Sequence, residues 1–183
     1  MTIAKIVSGG QTGADQGALE AALYCSLPHG GWVPAGRKTE KGGRVPDRFD
    51  RMREMKSGVY AARTEANVVD SDATLVFTFG KPSGGSLKTL DLADAHRKPR
   101  LHINLRQTER KAAVRQVKRW FDGPSGAEGP PAECVLNVAG PRESTAPGIQ
   151  QSVMILMIDI VNAVNGFCAY PPSAALPGML RSR

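Results

Sequence analysis

The chain has 183 residues and 19.5 kDa, with 41% hydrophobic and 22% charged residues, a composition that fits one folded domain and excludes wholesale disorder. No apolar run reaches the ~18 residues of a membrane-spanning helix, and Cys25, Cys134 and Cys168 are too few and too far apart for a disulfide framework or a cysteine zinc site. The net charge of +7 is uneven, because residues 97–119 hold nine Lys or Arg against Glu109 alone; such a stripe suits nucleic acid, an anionic partner, a phosphate-bearing ligand or simply a solvated helix face.

The N-terminal MTIAKIVSGG lacks a signal-peptide layout, so a cytoplasmic protein is expected. A first strand is predicted over 4–7, running into Ser8-Gly9-Gly10-Gln11-Thr12-Gly13. A helix follows over 14–25, with Leu19, Ala22 and Leu23 on one face. Residues 31–33 form a weaker strand candidate. Residues 35–56 are polar and charge-rich, with breakers at Pro34 and Pro46, and read as a long excursion of the kind that is usually functional or mobile.

The helix predicted over 57–69 has two faces. Val59, Ala62, Ala66 and Val69 are apolar, while Tyr60, Arg63, Thr64 and Asn67 recur at i, i+3, i+4 and i+7. That second face is either a mixed solvent surface or a set of donors and acceptors suited to a ligand. A buried strand over 73–79 leads into Gly80-Lys81-Pro82-Ser83-Gly84-Gly85-Ser86 and a helix to about 97. Residues 99–105 read as another strand. Thr108 is placed to cap the next helix, whose core face is Ala113, Val117, Trp120 and Phe121. After a turn-rich loop over 123–133, a last strand over 134–139 ends in Gly140-Pro141-Arg142-Glu143-Ser144.

The final helix is predicted over 147–165, and it is apolar on all sides from Val153 to Val161 apart from Asp159. A second subunit is the expected cover for the surplus apolar face, with residues 166–183, including Phe167 and Tyr170, as the rival. The domain expectation is one ligand-binding domain over 1–167 and a Pro-containing tail over 168–183.

Strands alternating with helices predict an α/β, three-layer, Rossmann-like fold with a mainly parallel sheet and helices on both faces. Ligands of such sheets bind outside the carboxyl ends of the strands. Three turns rich in Gly, Ser and Thr, at 8–13, 83–86 and 139–148, are expected to converge there. Glycines let backbone approach a ligand, and the following helices offer unpaired N–H groups, so phosphate is the expected guest. The turn at 8–13 is neither a Walker A motif nor a G-x-G-x-x-G fingerprint. Thr89 lies one turn into the helix after 83–86, and Arg142 offers a planar donor fork. Glu143 reads as an acid beside it or a simple salt-bridge partner. Gly10→Val is expected to block the ligand and spare the fold. Asp15, Glu40, Glu65, Asp70 and Asp72 show no diagnostic pairing, and His29, His96 and His102 show no metal-ligand spacing.

Several of these stretches, taken in order, resemble the molybdenum carrier (molybdenum cofactor carrier protein) family. They are Ser8 to Asp15, His29-Gly30-Gly31-Trp32, Gly36-Arg37, Tyr60 to Val68, Asp70-Ser71-Asp72, Ser83 to Ser86 and Asn137 to Ser144. The resemblance spans about residues 4–165. It implies a Rossmann-like branch shared with the lysine-decarboxylase-like phosphoribohydrolases and the DprA-type proteins. It also implies a homo-oligomer, tetramer or dimer, that binds the molybdenum cofactor, a phosphate-bearing pterin whose dithiolene holds the metal, and that hands it to molybdoenzymes.

The site residues expected on these grounds are Gly9, Gly10, Gln11, Thr12, Gly13, Asp15, Arg37, Tyr60, Arg63, Asn67, Ser83, Gly84, Gly85, Ser86, Thr89, Arg142, Glu143 and Ser144. No protein metal ligand is expected. Ser86 stands where the family often has Thr, and the tail from Cys168 falls outside its pattern. A carrier rather than a catalyst is the first reading. A nucleotide-binding protein or N-glycosidic hydrolase is the alternative, with Asp91 where the phosphoribohydrolases carry their catalytic glutamate. DNA binding through 97–119 is the third, disfavoured by only 5% aromatic residues.

Overall fold

The computed structural model describes residues 1–56, 58, 60–123 and 129–166. Six strands, β1 (Thr2–Val7), β2 (His29–Val33), β3 (Met52–Glu54), β4 (Ala73–Thr78), β5 (Arg100–Asn104) and β6 (Glu133–Ala139), form one sheet in the order β3-β2-β1-β6-β4-β5. Every neighbouring pair is parallel. Parallel strands need helical crossovers, and five helices supply them: α1 (Ala14–Tyr24), α2 (Tyr60–Val69), α3 (Gly84–Ala95), α4 (Arg110–Asp122) and α5 (Ile149–Asn165). The expected α/β three-layer fold is therefore the observed one.

Packing explains the hydrophobic pattern. All six residues of β4 are buried, as a strand covered on both faces requires. On one face α5 lies between α1 and α4. The approach of α1 is close because Gly17 has no side chain, so the Gln150 carbonyl can rest against its Cα. Asn165 at the end of α5 is pinned to β1, accepting from the Ile3 N–H at 2.7 Å and donating to the Ile3 carbonyl at 2.9 Å.

Four expectations need correction. The all-round apolarity of α5 is largely consumed inside this chain: Ile149, Val153, Leu156, Met157, Ile158, Ile160 and Val161 are buried between its neighbours and the sheet, and Met154 and Ile155 are half-buried, so the apolar surplus left for a second subunit is small. Residues 166–183 were the rival cover; Gly166 is exposed, and the tail, with Phe167, Cys168 and Tyr170, lies outside the described residues. Leu23 and Val69 are exposed, and in α2 it is Val68 that is fully buried among the described residues; α2 is rotated so that Asn67 meets the backbone of β2. Thr108 does not cap α4, whose N-cap is Glu109 without a side-chain bond. Finally, β3 lies within the supposed excursion. It is a three-residue edge strand with only Met52 buried, too short to leave a periodic signal.

Candidate functional site

The carboxyl edge of the sheet is assembled by close backbone contacts that glycines permit. Gly13, with φ of +83°, faces the turn after β6: a Cβ there would lie 2.5 Å from the Pro141 carbonyl and 2.6 Å from the Glu143 nitrogen. Gly140 sits between Ala14 and the Phe77 carbonyl, each 2.5 Å from where its Cβ would be. The turns after β1, β6 and β4 thus stand side by side.

Four successive amides of the first turn are already engaged inside the protein. Gln11 N–H donates to Asp15 Oδ2 (3.2 Å), Thr12 N–H to Gln11 Oε1 (3.0 Å), Gly13 N–H to Gln150 Oε1 (3.3 Å) and Ala14 N–H to the Pro141 carbonyl (3.2 Å). Asp15 is buried, and desolvation pushes its carboxyl pKa up; Arg63, the Gln11 amide and Ser8 only partly offset this. Arg63 reaches across from α2 to pair with it, Nη1 to Oδ2 at 3.3 Å. The guanidinium lies where a Gly9 side chain would be. Gly9 therefore makes room for the protein's own arginine. Gly10 has φ of +70°, and a Cβ there would lie 2.9 and 3.0 Å from Val33 and Val45, so Gly10→Val would strain the fold itself, contrary to the expectation that it spares it.

The turn before α3 is built differently. Ser83, Gly84 and Gly85 are exposed, and nothing lies within 4 Å of a Cβ placed at either glycine. Ser83 is the N-cap and makes no side-chain capping bond. Ser86 is buried, and Thr89 donates to the Gly85 carbonyl at 2.8 Å, so this hydroxyl stiffens the first turn of α3.

Glu40, from the loop after β2, is a further residue of this edge. Its carboxylate accepts from the hydroxyls of Thr12 and Ser144 and from the Ser144 N–H (3.2 Å). The Glu40 N–H donates to Gln11 Oε1 at 2.9 Å. One acid thereby ties three loops together. These hydroxyl donors, aided by nearby Arg142, hold its pKa below the usual glutamate value. No local motif marks Glu40 in the sequence, because its partners lie 28 and 104 residues away. The Gln11 amide nitrogen is buried and has no hydrogen-bond partner among the described residues, an unsatisfied donor at this edge.

Other expected site residues carry structural tasks. Arg37 donates to the carbonyls of Pro46 and Phe49 at 3.2 and 3.0 Å, fastening the loop before β3. Asn67 pairs with the Trp32 backbone like an extra strand residue, accepting at 2.8 Å and donating at 3.0 Å. Glu143 caps α5, accepting from Gly148 N–H at 2.5 Å and Gln150 N–H at 3.0 Å. Arg142 is exposed at the edge. Tyr60 begins α2, and its side chain lies outside the described residues.

The features behind the other readings fall elsewhere. Asp91 is exposed on α3 and acts on Arg100 at the start of β5, away from the carboxyl edge. Three of the nine basic residues of the stripe form ion pairs among the described residues: Arg100 with Asp94, Arg110 with Asp159 and Lys118 with Asp122. Among the described residues no group of three His, Cys, Asp or Glu could hold a metal, and no helix is long and apolar enough to cross a membrane. Cys134 is buried and its thiol is pushed up to about 12 by desolvation and Asp72, which makes it a poor nucleophile.

The model of the circularly permutated YpsA SLOG family matches residues 6–161. No curated protein matches the chain. A crystal structure of a "putative molybdenum carrier protein" from Syntrophus aciditrophicus SB superposes with a TM-score of 0.78 at 41% identity, covering 87% of this chain and 95% of that one.

Proposed function

The chain belongs to the circularly permutated YpsA SLOG family, and on that premise we propose that it binds the molybdenum cofactor at the carboxyl edge of its sheet, as a carrier. The name of the Syntrophus protein supports a molybdenum-related small-molecule ligand. The observation that carries the reading is the open, side-chain-free start of α3 at Gly84–Gly85, on the sheet edge where Arg63 is seated over Gly9.

The cofactor phosphate would be received by the α3 amides at Gly84 and Gly85 and by Ser83, where the helix dipole favours an anion. Arg63, oriented by buried Asp15, and Arg142 would offset its charge. The Gln11 amide nitrogen would donate to a pterin acceptor. The dithiolene supplies the metal's ligands, so the molybdenum is cargo and the protein's task is to hold and shield it. Homo-oligomerisation, transfer to molybdoenzymes and a cytoplasmic location belong to the same proposal, and light scattering tests the first.

Mass spectrometry of ligand released from gently purified protein is the decisive experiment. A pterin phosphate with molybdenum is the expected species. A nucleotide instead would keep the phosphate site and replace the cargo, and a protein that neither releases nor rebinds a phosphate-bearing molecule would end the reading.

A further inference from the structure

A second concentration of charge lies away from the carboxyl edge, on the face of β1, β2 and β3 beside α2. A cleft of about 340 Å³ opens there, lined by Lys5, Arg51, Arg53, Trp32 and Asp70 among others. The register explains the assembly. Lys5 and Val7 of β1 point to the same face, Val7 is level with Gly30, and Trp32 is level with Arg53. Gly30 provides the floor: a Cβ there would lie 3.2 Å from Lys5 Cε and 3.3 Å from its Nζ, so the lysine stem lies across bare backbone.

The charges are unbalanced. Asp70 is the acid lining the cleft, and it is shared, accepting from Trp32 Nε1 at 2.7 Å and standing 3.8 Å from Arg53 Nη1. Arg53 also lies over the Trp32 ring at 5.6 Å. Lys5 and Arg51 form no ion pair among the described residues. Both act on buried His29, whose pKa is lowered first by desolvation, with Asp50 opposing and Arg51 and Lys5 reinforcing. Like charges gathered in one cleft repel one another, and an anion between them removes that cost. The volume lies within the ~300–1,000 Å³ of small-molecule sites, so an organic anion fits better than a bare ion.

We propose that this cleft is a second ligand site, for a phosphate monoester with a planar ring, its phosphate between Lys5 and Arg51 and its ring beside the Trp32 indole. The site is independent of the one at the carboxyl edge, and neither stands or falls with the other.

Fluorescence titration of a Trp120→Phe protein isolates Trp32, since the chain has two tryptophans. With AMP as the probe, the Trp32 emission is expected to change saturably, and at least tenfold more tightly than with inorganic phosphate. Lys5→Gln/Arg51→Gln should lose that response by tenfold or more while folding cooperatively, with an unliganded Tm at or above the parent's. An unresponsive Trp32, equal affinities for AMP and inorganic phosphate, or full binding by the double variant would each overturn the proposal. Should the double variant fail to fold, Arg51→Gln alone, at an exposed residue, carries the same test.

Discussion

The turns at 8–13 and 83–86 have nearly the same composition and opposite uses. In the first, Gly9 admits Arg63, Gly10 fits between Val33 and Val45, and Gly13 admits the backbone of residues 141–143. In the second, Gly84 and Gly85 face open space. A glycine-rich turn after a parallel strand therefore does not by itself mark where a ligand touches. The first turn is the frame that holds the edge together, and the second is the open surface to which the proposed ligand is assigned.

The sharpest way to break this contrast is Arg63→Ala. It would leave Asp15 buried without its cation, an effect of about 3–5 kcal/mol, and chemical denaturation should show it together with loss of cofactor binding. A variant of parental stability would mean that Asp15 is protonated and the pair is not the anchor. Gly13→Ala comes next. A methyl 2.5 Å from a backbone oxygen at φ +83° combines overpacking with left-handed strain, about 2–4 kcal/mol together. Thermal melts check it, and an unchanged midpoint would show that the two turns can move apart.

Glu40→Gln probes the tie between the loops. Its solvent-accessible hydrogen bonds are worth about 1 kcal/mol after screening. The pKa of Glu40 is depressed in the fold, so its contribution is complete above the unfolded glutamate value of 4.5 and fades as pH falls through the folded one. The parent should therefore lose stability on acidification more steeply than the variant, and parallel pH profiles would remove Glu40 from this role. The smallest effect on folding is expected at Gly85. Gly85→Ala has room and lies in the first turn of α3, so it should stabilise by about 0.5 kcal/mol. Its effect on binding should be large, because the methyl enters the space assigned to the phosphate. Undiminished cofactor affinity in calorimetry would place the phosphate elsewhere.

Much of this protein was legible in the order of its residues. Alternating strands and helices announced the parallel sheet, because strand and helix periodicities are local and each parallel connection needs a crossover. The convergence of three turns followed from that topology alone. The tertiary structure decided what each residue does at the edge. Arg37, Asn67 and Glu143 look like ligand residues in sequence, yet each is bonded to carbonyls or amides of the chain itself. Glu40 looks like a loop acid, yet it gathers Thr12 and Ser144 across 28 and 104 residues. Periodicity reports which face of an element is apolar. It does not report whether a partner fills the space above a glycine, and that depends on contacts between segments far apart in the chain.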